Sequence, residues 1–436
     1  VDLTRRETLI RFLFGAGGIG LRALATGLPV SFLLNPRKAL AQTCLAPTKA
    51  QYVVFNTSGG GDPINTNCPG TYADGAIIHA PSFSTPTNFT LNGQSVQGAL
   101  PWAPTTAGGL MAQSALDRTQ FWHIMTNTPV HPKEPNVLEL MGASPANEML
   151  PSLLAKVLAP CLNTLQAQPV ALGPQPLSFS GQALPLIPPS SLKDTLGNPT
   201  GPLTQLQSVR DQTMVQIYDF YKNGASATQQ AYIDQMATSQ SQVRGISQKL
   251  IGTLAGIPDD GPSSQILAAV TLIQMNVTPV LSVQIPFGGD NHSDGNLAAE
   301  TAQTQTGVGT IASLMSQLQT AGLQDQVSFL SLNVFGRTLL VNSPGTSAAN
   351  GRNHNPNHQV SLAIGKPFLG GVIGGVARVG ADYGATAIQS STGASSSSGD
   401  IPAVETLGAF AQTVLQAFGG DPTVIGTGKA ISNVLA

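Results

Sequence analysis

Asp290, Asn291 and His292 follow one another, and a carboxylate and an imidazole two positions apart point the same way from an extended segment. Hard oxygen and imidazole donors together are what zinc and similar divalent cations bind. The chain has only six histidines. His131, His292, His354 and His358 fall in polar segments rich in Gly, Asn and Pro, whereas His79 reads as a surface histidine and His123 as a core histidine in a strand. Asp62 closes the run Gly59-Gly60-Gly61, and Arg337 follows Phe335-Gly336. An arginine so placed could clamp two oxygens of an anion, or form a structural ion pair. Thr57, Ser58 and Thr66 offer hydroxyls nearby, and nothing in the sequence selects a nucleophile among them. Spacing alone does not separate a metal site from coincidence.

The elements around these residues give the spacing a physical sense. Apolar, β-rich runs predict strands over 51–57, 120–125, 278–285, 326–333 and 359–364. Helical patterns cover 145–160, 203–255 with a break at Asn223-Gly224, 264–275, 297–321 and 402–418. At the start of the fourth of these, Asp294 reads as part of an N-cap region and Glu300 as an exposed helical charge. The Gly- and Pro-rich stretches 67–104 and 165–203 and the Ser-rich 390–399 read as irregular excursions. Strand, long helix, strand over 278–333 is a crossover unit, which requires a parallel sheet. Ligands of such sheets gather beyond the carboxyl ends of the strands. Asp62, Asp290, His292 and Arg337 all fall there.

The ordered blocks Gly59-Gly60-Gly61-Asp62, Phe287-Gly288-Gly289-Asp290-Asn291-His292, Phe335-Gly336-Arg337-Thr338 and Gly351-Arg352-Asn353-His354 resemble the secreted family called domain of unknown function 1501. That family is similar to the alkaline phosphatase and sulfatase superfamily. The resemblance covers nearly the whole chain after residue 41. It implies an α/β fold, an alkaline-phosphatase-like three-layer sandwich with a mostly parallel central sheet, forming a single domain over 42–436. It also implies metal-dependent hydrolysis of phosphate or sulfate esters. Asp62, Asp290, His292 and His354 would be the metal ligands, and His131 falls where the family shows a serine-histidine pair. Arg337 would meet the anionic ester.

Two departures bear on the chemistry. The family's E-F-G-R glutamate is Val334 here, and its G-R-D-H aspartate is Asn353. Valine cannot ligate a metal, and asparagine offers only a neutral carbonyl oxygen. The remaining ligands suffice for at most one divalent cation, whether zinc, calcium or magnesium. The competing expectation is a pseudoenzyme, a non-catalytic binding or assembly subunit of a larger complex.

Thr4-Arg5-Arg6-Glu7 precedes an apolar run over 12–34 and the small-residue end Ala39-Leu40-Ala41. Together they read as a twin-arginine signal over 1–41, cleaved before Gln42 and placing the protein in the periplasm or outside the cell. Retained, the same run would be a membrane anchor. The segment 1–41 carries six of the 20 basic residues and two of the 22 acidic ones, so the remainder is distinctly acidic. Such a surface does not suit nucleic acid, which demands clustered Lys and Arg. The expected partner is a small anionic ester or another protein. Three cysteines, Cys44, Cys68 and Cys161, allow one disulfide and leave one thiol, without fixing the pair.

Overall fold

A computed structural model describes residues 44, 46–61, 64, 66–197, 216, 219–220, 222–223, 230, 252–287, 291–341 and 351–436. The expected signal over 1–41 lies outside them, as do most of the two helices expected over 203–255. Among the described residues no helix is long and apolar enough to cross a membrane.

The chain divides into two compact units. One, comprising 1–42, 164–166 and 187–277, includes the helices Pro189–Gly197 and Pro262–Gln274. Asp260, just ahead of the second helix, accepts from both the backbone nitrogen and the hydroxyl of Ser190 in the first. The other unit, 43–163, 167–186 and 278–436, holds the sheet and every element described below.

Its strands, in chain order, are β1 Tyr52–Asn56, β2 Thr87–Leu91, β3 Gln94–Gly98, β4 Thr119–Ile124, β5 Val170–Ala171, β6 Ser178–Phe179, β7 Gln182–Ala183, β8 Val280–Val283, β9 Val327–Ser331, β10 Gly336–Arg337, β11 His354–Asn355, β12 Gln359–Ile364, β13 Gly371–Ile373, β14 Val376–Val379 and β15 Asp382–Ala385. Seven of them form one sheet in the order β13-β4-β12-β9-β1-β8-β5. Only the β12 pairings, with β4 and β9, are antiparallel. The β1–β8, β1–β9, β5–β8 and β4–β13 pairs are parallel, so six strands share a direction and β12 alone is reversed. The molecule is thus a mixed α/β protein built on a large, mostly parallel sheet, as the crossover spacing required.

Every residue of β1, β4, β8, β9 and β12 is buried, which is why these strands read as nearly continuous apolar runs. The serines that give β9 its alternation are covered too. Ser331 Oγ accepts from Leu362 N at 2.9 Å, and Ser328 Oγ donates to Gln51 Oε1 at 3.3 Å. One face of the sheet packs on the helices Leu150–Leu162 and Thr406–Ala417, with Phe55, Trp122 and Leu330 in one apolar cluster with Leu154 and Phe410. Phe121, which alternation turns the other way from Trp122, meets Trp102 edge-on at 5.0 Å. Trp102 in turn stacks towards Phe287. The long helix Ala298–Thr320 buries Thr304, Gly307, Val308, Ile311, Leu314 and Leu318, a helical stripe.

The stretch 67–104, expected to be irregular, contains the hairpin β2–β3. Its Asn92-Gly93 turn has φ of +48° and +78°, the two left-handed residues that a tight hairpin turn needs. Phe89 and Leu91 point inward while Asn88 and Thr90 face solvent. That Asn-Gly between alternating residues is the sequence signal for it.

Cys44 is joined to Cys161 by a disulfide, and Cys68 is a buried thiol, the division the odd count allowed. The bridge spans 117 positions, and closing so long a loop restricts the unfolded chain strongly. Replacing Cys161 by Ser is expected to lower unfolding stability by about 2–5 kcal/mol. Urea unfolding of oxidised and variant protein reads this, and coincident transitions would show that the bridge contributes nothing.

Candidate functional site

Since β1, β4, β8 and β9 run the same way, the segments that follow them emerge at one edge of the sheet. The reversed β12 starts at that edge, so the residues leading into it arrive there as well. Gly59–Gly61 follow β1, His131 follows β4, His292 follows β8, Arg337 follows β9, and His354 precedes β12. The short ladder β10–β11 pairs Arg337 with His354 directly. Asp62 and Asp290 lie outside the described residues.

Three of the expected ligands come together. His292 Nε2 and His354 Nε2 are 3.0 Å apart, and the His131 ring stands edge-on to His354 with centroids 4.5 Å apart. Phe335 stacks on His354 at 4.4 Å and closes the cluster from one side. Two of the imidazoles are oriented by the main chain. His354 Nδ1 lies 2.6 Å from Pro129 O and His131 Nδ1 lies 2.5 Å from Gly59 O. A carbonyl only accepts, so in each ring Nδ1 carries a proton, which leaves Nε2 as the nitrogen that can offer a lone pair. Backbone anchoring of one ring nitrogen is the usual support of a metal-binding histidine. The His354 pKa is lowered, first by burial, against the opposing Pro129 hydrogen bond; Arg337, His131 and His292 lower it further.

These donors fit a divalent cation. Two imidazole nitrogens on one tetrahedral zinc, at roughly 2.0–2.1 Å each, stand about 3.3 Å apart, close to the His292–His354 separation. Among the described residues no three His, Cys, Asp or Glu side chains converge tightly enough to hold a metal by themselves. The fit therefore rests on the histidine pair.

Arg337 is fully buried. Its Nη2 donates to Gly60 O at 2.6 Å and its guanidinium lies over the Phe335 ring, so it holds the glycine turn. His358, expected in a polar loop like the other three, is instead fully buried and paired with His123, whose Nδ1 is 2.9 Å from His358 Nε2. His123 Nε2 meets Pro69 O at 2.9 Å. His79, expected at the surface, stacks flat on Tyr72 at 3.8 Å with Nδ1 on Thr66 O.

Sequence reasoning missed one carboxylate. Glu134, in the segment after β4, is 8% exposed and accepts from Thr57 Oγ1 at 2.7 Å. Its other oxygen lies over the glycine turn, 2.8 Å from where a Gly59 side chain would begin. Burial raises its pKa, and the Thr57 hydrogen bond only partly opposes this. The contact joins residues 77 positions apart, and no local pattern announces it.

The two departures differ physically. Val334 is fully buried in the apolar cluster, its N–H bonded to Ser58 O. Asn353 is locked by its backbone, with Thr338 N donating to Asn353 O and Asn353 N donating to Thr338 Oγ1. Asp294 caps the long helix as expected, accepting from Ala299 N and Glu300 N. Glu300, expected to be an exposed charge, is wholly buried and paired with Arg352. A carboxylate cannot be buried alone at acceptable cost, and its partner lies 52 positions away.

No family model matches the chain, and no curated protein matches it in sequence.

Proposed function

We propose that the chain is an exported protein of alkaline-phosphatase-like architecture, a three-layer sandwich descended from metal-dependent phosphate or sulfate ester hydrolases. In this reading it keeps a site for at most one cation. The observation that carries it is the meeting of His292 and His354, Nε2 to Nε2 at 3.0 Å, at the carboxyl edge of a mostly parallel sheet. Those two histidines would hold the cation, with Asp62 and Asp290 supplying charge and His131 alongside. A dication held there would supply stabilisation of negative charge on the ester oxygens. The chain's own contributions are an oriented histidine cluster, a glycine turn fixed by Arg337, and a buried carboxyl. Glu134, whose pKa burial raises, is suited to holding or passing on a proton. The Cys44–Cys161 disulfide supports export, since such bonds persist in oxidising compartments.

Val334 favours a second reading, a non-catalytic binding or assembly subunit. Its side chain belongs to the apolar core where the family pattern has a ligand carboxylate. Cobalt(II) titration of the full chain, with hydrolysis of aryl phosphates and sulfates, separates the two. We expect one cobalt per chain, an affinity lowered at least about tenfold in His292→Ala or His354→Ala, and slow hydrolysis slowed further in Glu134→Gln. Two cobalt ions with rapid turnover would overturn the one-cation site. A chain that takes no cobalt leaves the subunit reading standing.

A further inference from the structure

Arg352 joins segments next to both histidines. Its backbone N–H donates to Asn291 O at 3.1 Å, and the neighbouring Gly351 N–H donates to His292 O at 2.9 Å. The strands of main chain approach so closely that a side chain at Gly351 would begin 2.0 Å from Asn291 O. The Arg352 guanidinium meets Glu300 with two nitrogens, Nε to Oε2 at 2.5 Å and Nη2 to Oε1 at 3.2 Å. Glu300 lies in the first turn of the helix that follows the His292 segment. The remaining donors reach Thr338 O at 2.8 Å, just past Arg337, and Ile78 O at 2.5 Å. Glu300 is further held by Asn67 Nδ2 at 2.7 Å and Thr66 Oγ1 at 3.3 Å. Both side chains of the pair are fully buried.

We propose that Arg352, braced by Glu300, is a positioning residue that fixes His292 against His354 and so sets the affinity of the cation site. The inference rests on the cation-binding reading above. His354 is two residues from Arg352 in the chain, and the Asn291-His292 segment is held by the backbone bonds of Arg352 and Gly351. Burying the pair is costly, and its return is geometric: one planar fork, two residues before His354, is tied to Glu300 in the helix that follows His292 and to Thr338 beside Arg337. Lysine would keep the charge and lose the fork.

The test uses the full chain, cobalt(II) as probe and two variants. In Arg352→Met with Glu300→Leu, no charge is left unpaired, which favours folding. We expect this variant, once shown folded by a cooperative thermal transition, to bind cobalt about 10–100-fold more weakly. Arg352→Lys should fall between it and the parent. Imidazole nitrogen resonances, assigned with His292→Asn and His354→Asn, report the contact without any metal. Both should shift together in the clamp variants. A folded double variant with parental cobalt affinity and unshifted His292 and His354 resonances overturns the proposal. Should the double variant fail to fold, Arg352→Lys decides by the same two readouts. A parent that takes no cobalt removes the cation-site reading, and with it the proposal's claim on affinity. The resonances then judge whether Arg352 positions the histidines.

Discussion

Val334→Glu is expected to destabilise the metal-free protein by about 3–5 kcal/mol, enough to unfold many domains of this kind. The position is fully buried among Phe335, Leu332 and other apolar side chains, and β9 leads straight into it. An ionised carboxylate there loses its hydration without a partner, and a neutral one must first take up a proton against its ordinary pKa. Asn353→Asp is a different change. It exchanges an amide for an isosteric carboxylate at the residue beside His354, in a segment already fixed by Thr338; it should strengthen cobalt binding by about tenfold, and because residue 353 is buried it lowers the stability of the cation-free protein. The two departures from the family pattern are therefore unequal: one is part of the apolar core and the other is the polar chain neighbour of His354. Thermal unfolding of each single variant, with and without cobalt, measures the difference. A Val334→Glu protein that melts with the parent and binds a second cation would mean that residue 334 faces the site.

Mild acid is the second strong perturbation. Burial lowers the pKa of His123 to about 4, and that of His358 falls well below its ordinary value, first by burial and then by the facing His123. Burial likewise takes His79 to about 4, partly opposed by the Thr66 hydrogen bond. The folded chain holds these rings neutral, whereas the unfolded chain protonates them near pH 6.5. Below that pH the unfolded state binds more protons, so stability falls with pH. The loss begins near 6.5 and is complete for each ring once pH passes its folded pKa, about 4 for His123 and His79. One fully buried ring accounts for up to about 3 kcal/mol over this window. Glu134 and Asp382, both raised by burial, act oppositely and offset part of it. Urea midpoints measured through this range should fall steeply, and more gently in His123→Gln with His358→Gln. An equal slope in that variant would show that the buried pair does not govern acid sensitivity.

Much of the architecture was legible because both faces of the sheet are covered. Strands such as β1 and β4 have no polar side to obscure them, and the helix between β8 and β9 is long enough to fix a parallel crossover. The glycine turns and the histidines marked the edge where chemistry gathers, and His131, His292 and His354 do meet there. What the sequence hid was long-range pairing. Glu300 looks like a surface helix charge until Arg352 is seen beside it, and Glu134 has no meaning without Thr57. His358 shares the composition of its neighbours yet turns inward to His123, because it immediately precedes β12, whose Val360 pairs with His123 in β4. The hairpin at Asn92-Gly93 is a different case. Its signal is local and was outweighed by the surrounding Gly, Pro and Thr.

The Cys44–Cys161 bond makes the polypeptide between them a covalent ring, and that ring contains β1, the hairpin, β4 and the His131 segment. A protease that cuts once within it, at the exposed turn after Leu91 for example, opens the ring without releasing a fragment. Such a nicked molecule keeps its original mass apart from one added water, and runs as two pieces only after reduction. Cuts elsewhere in the chain enjoy no such covalent tether.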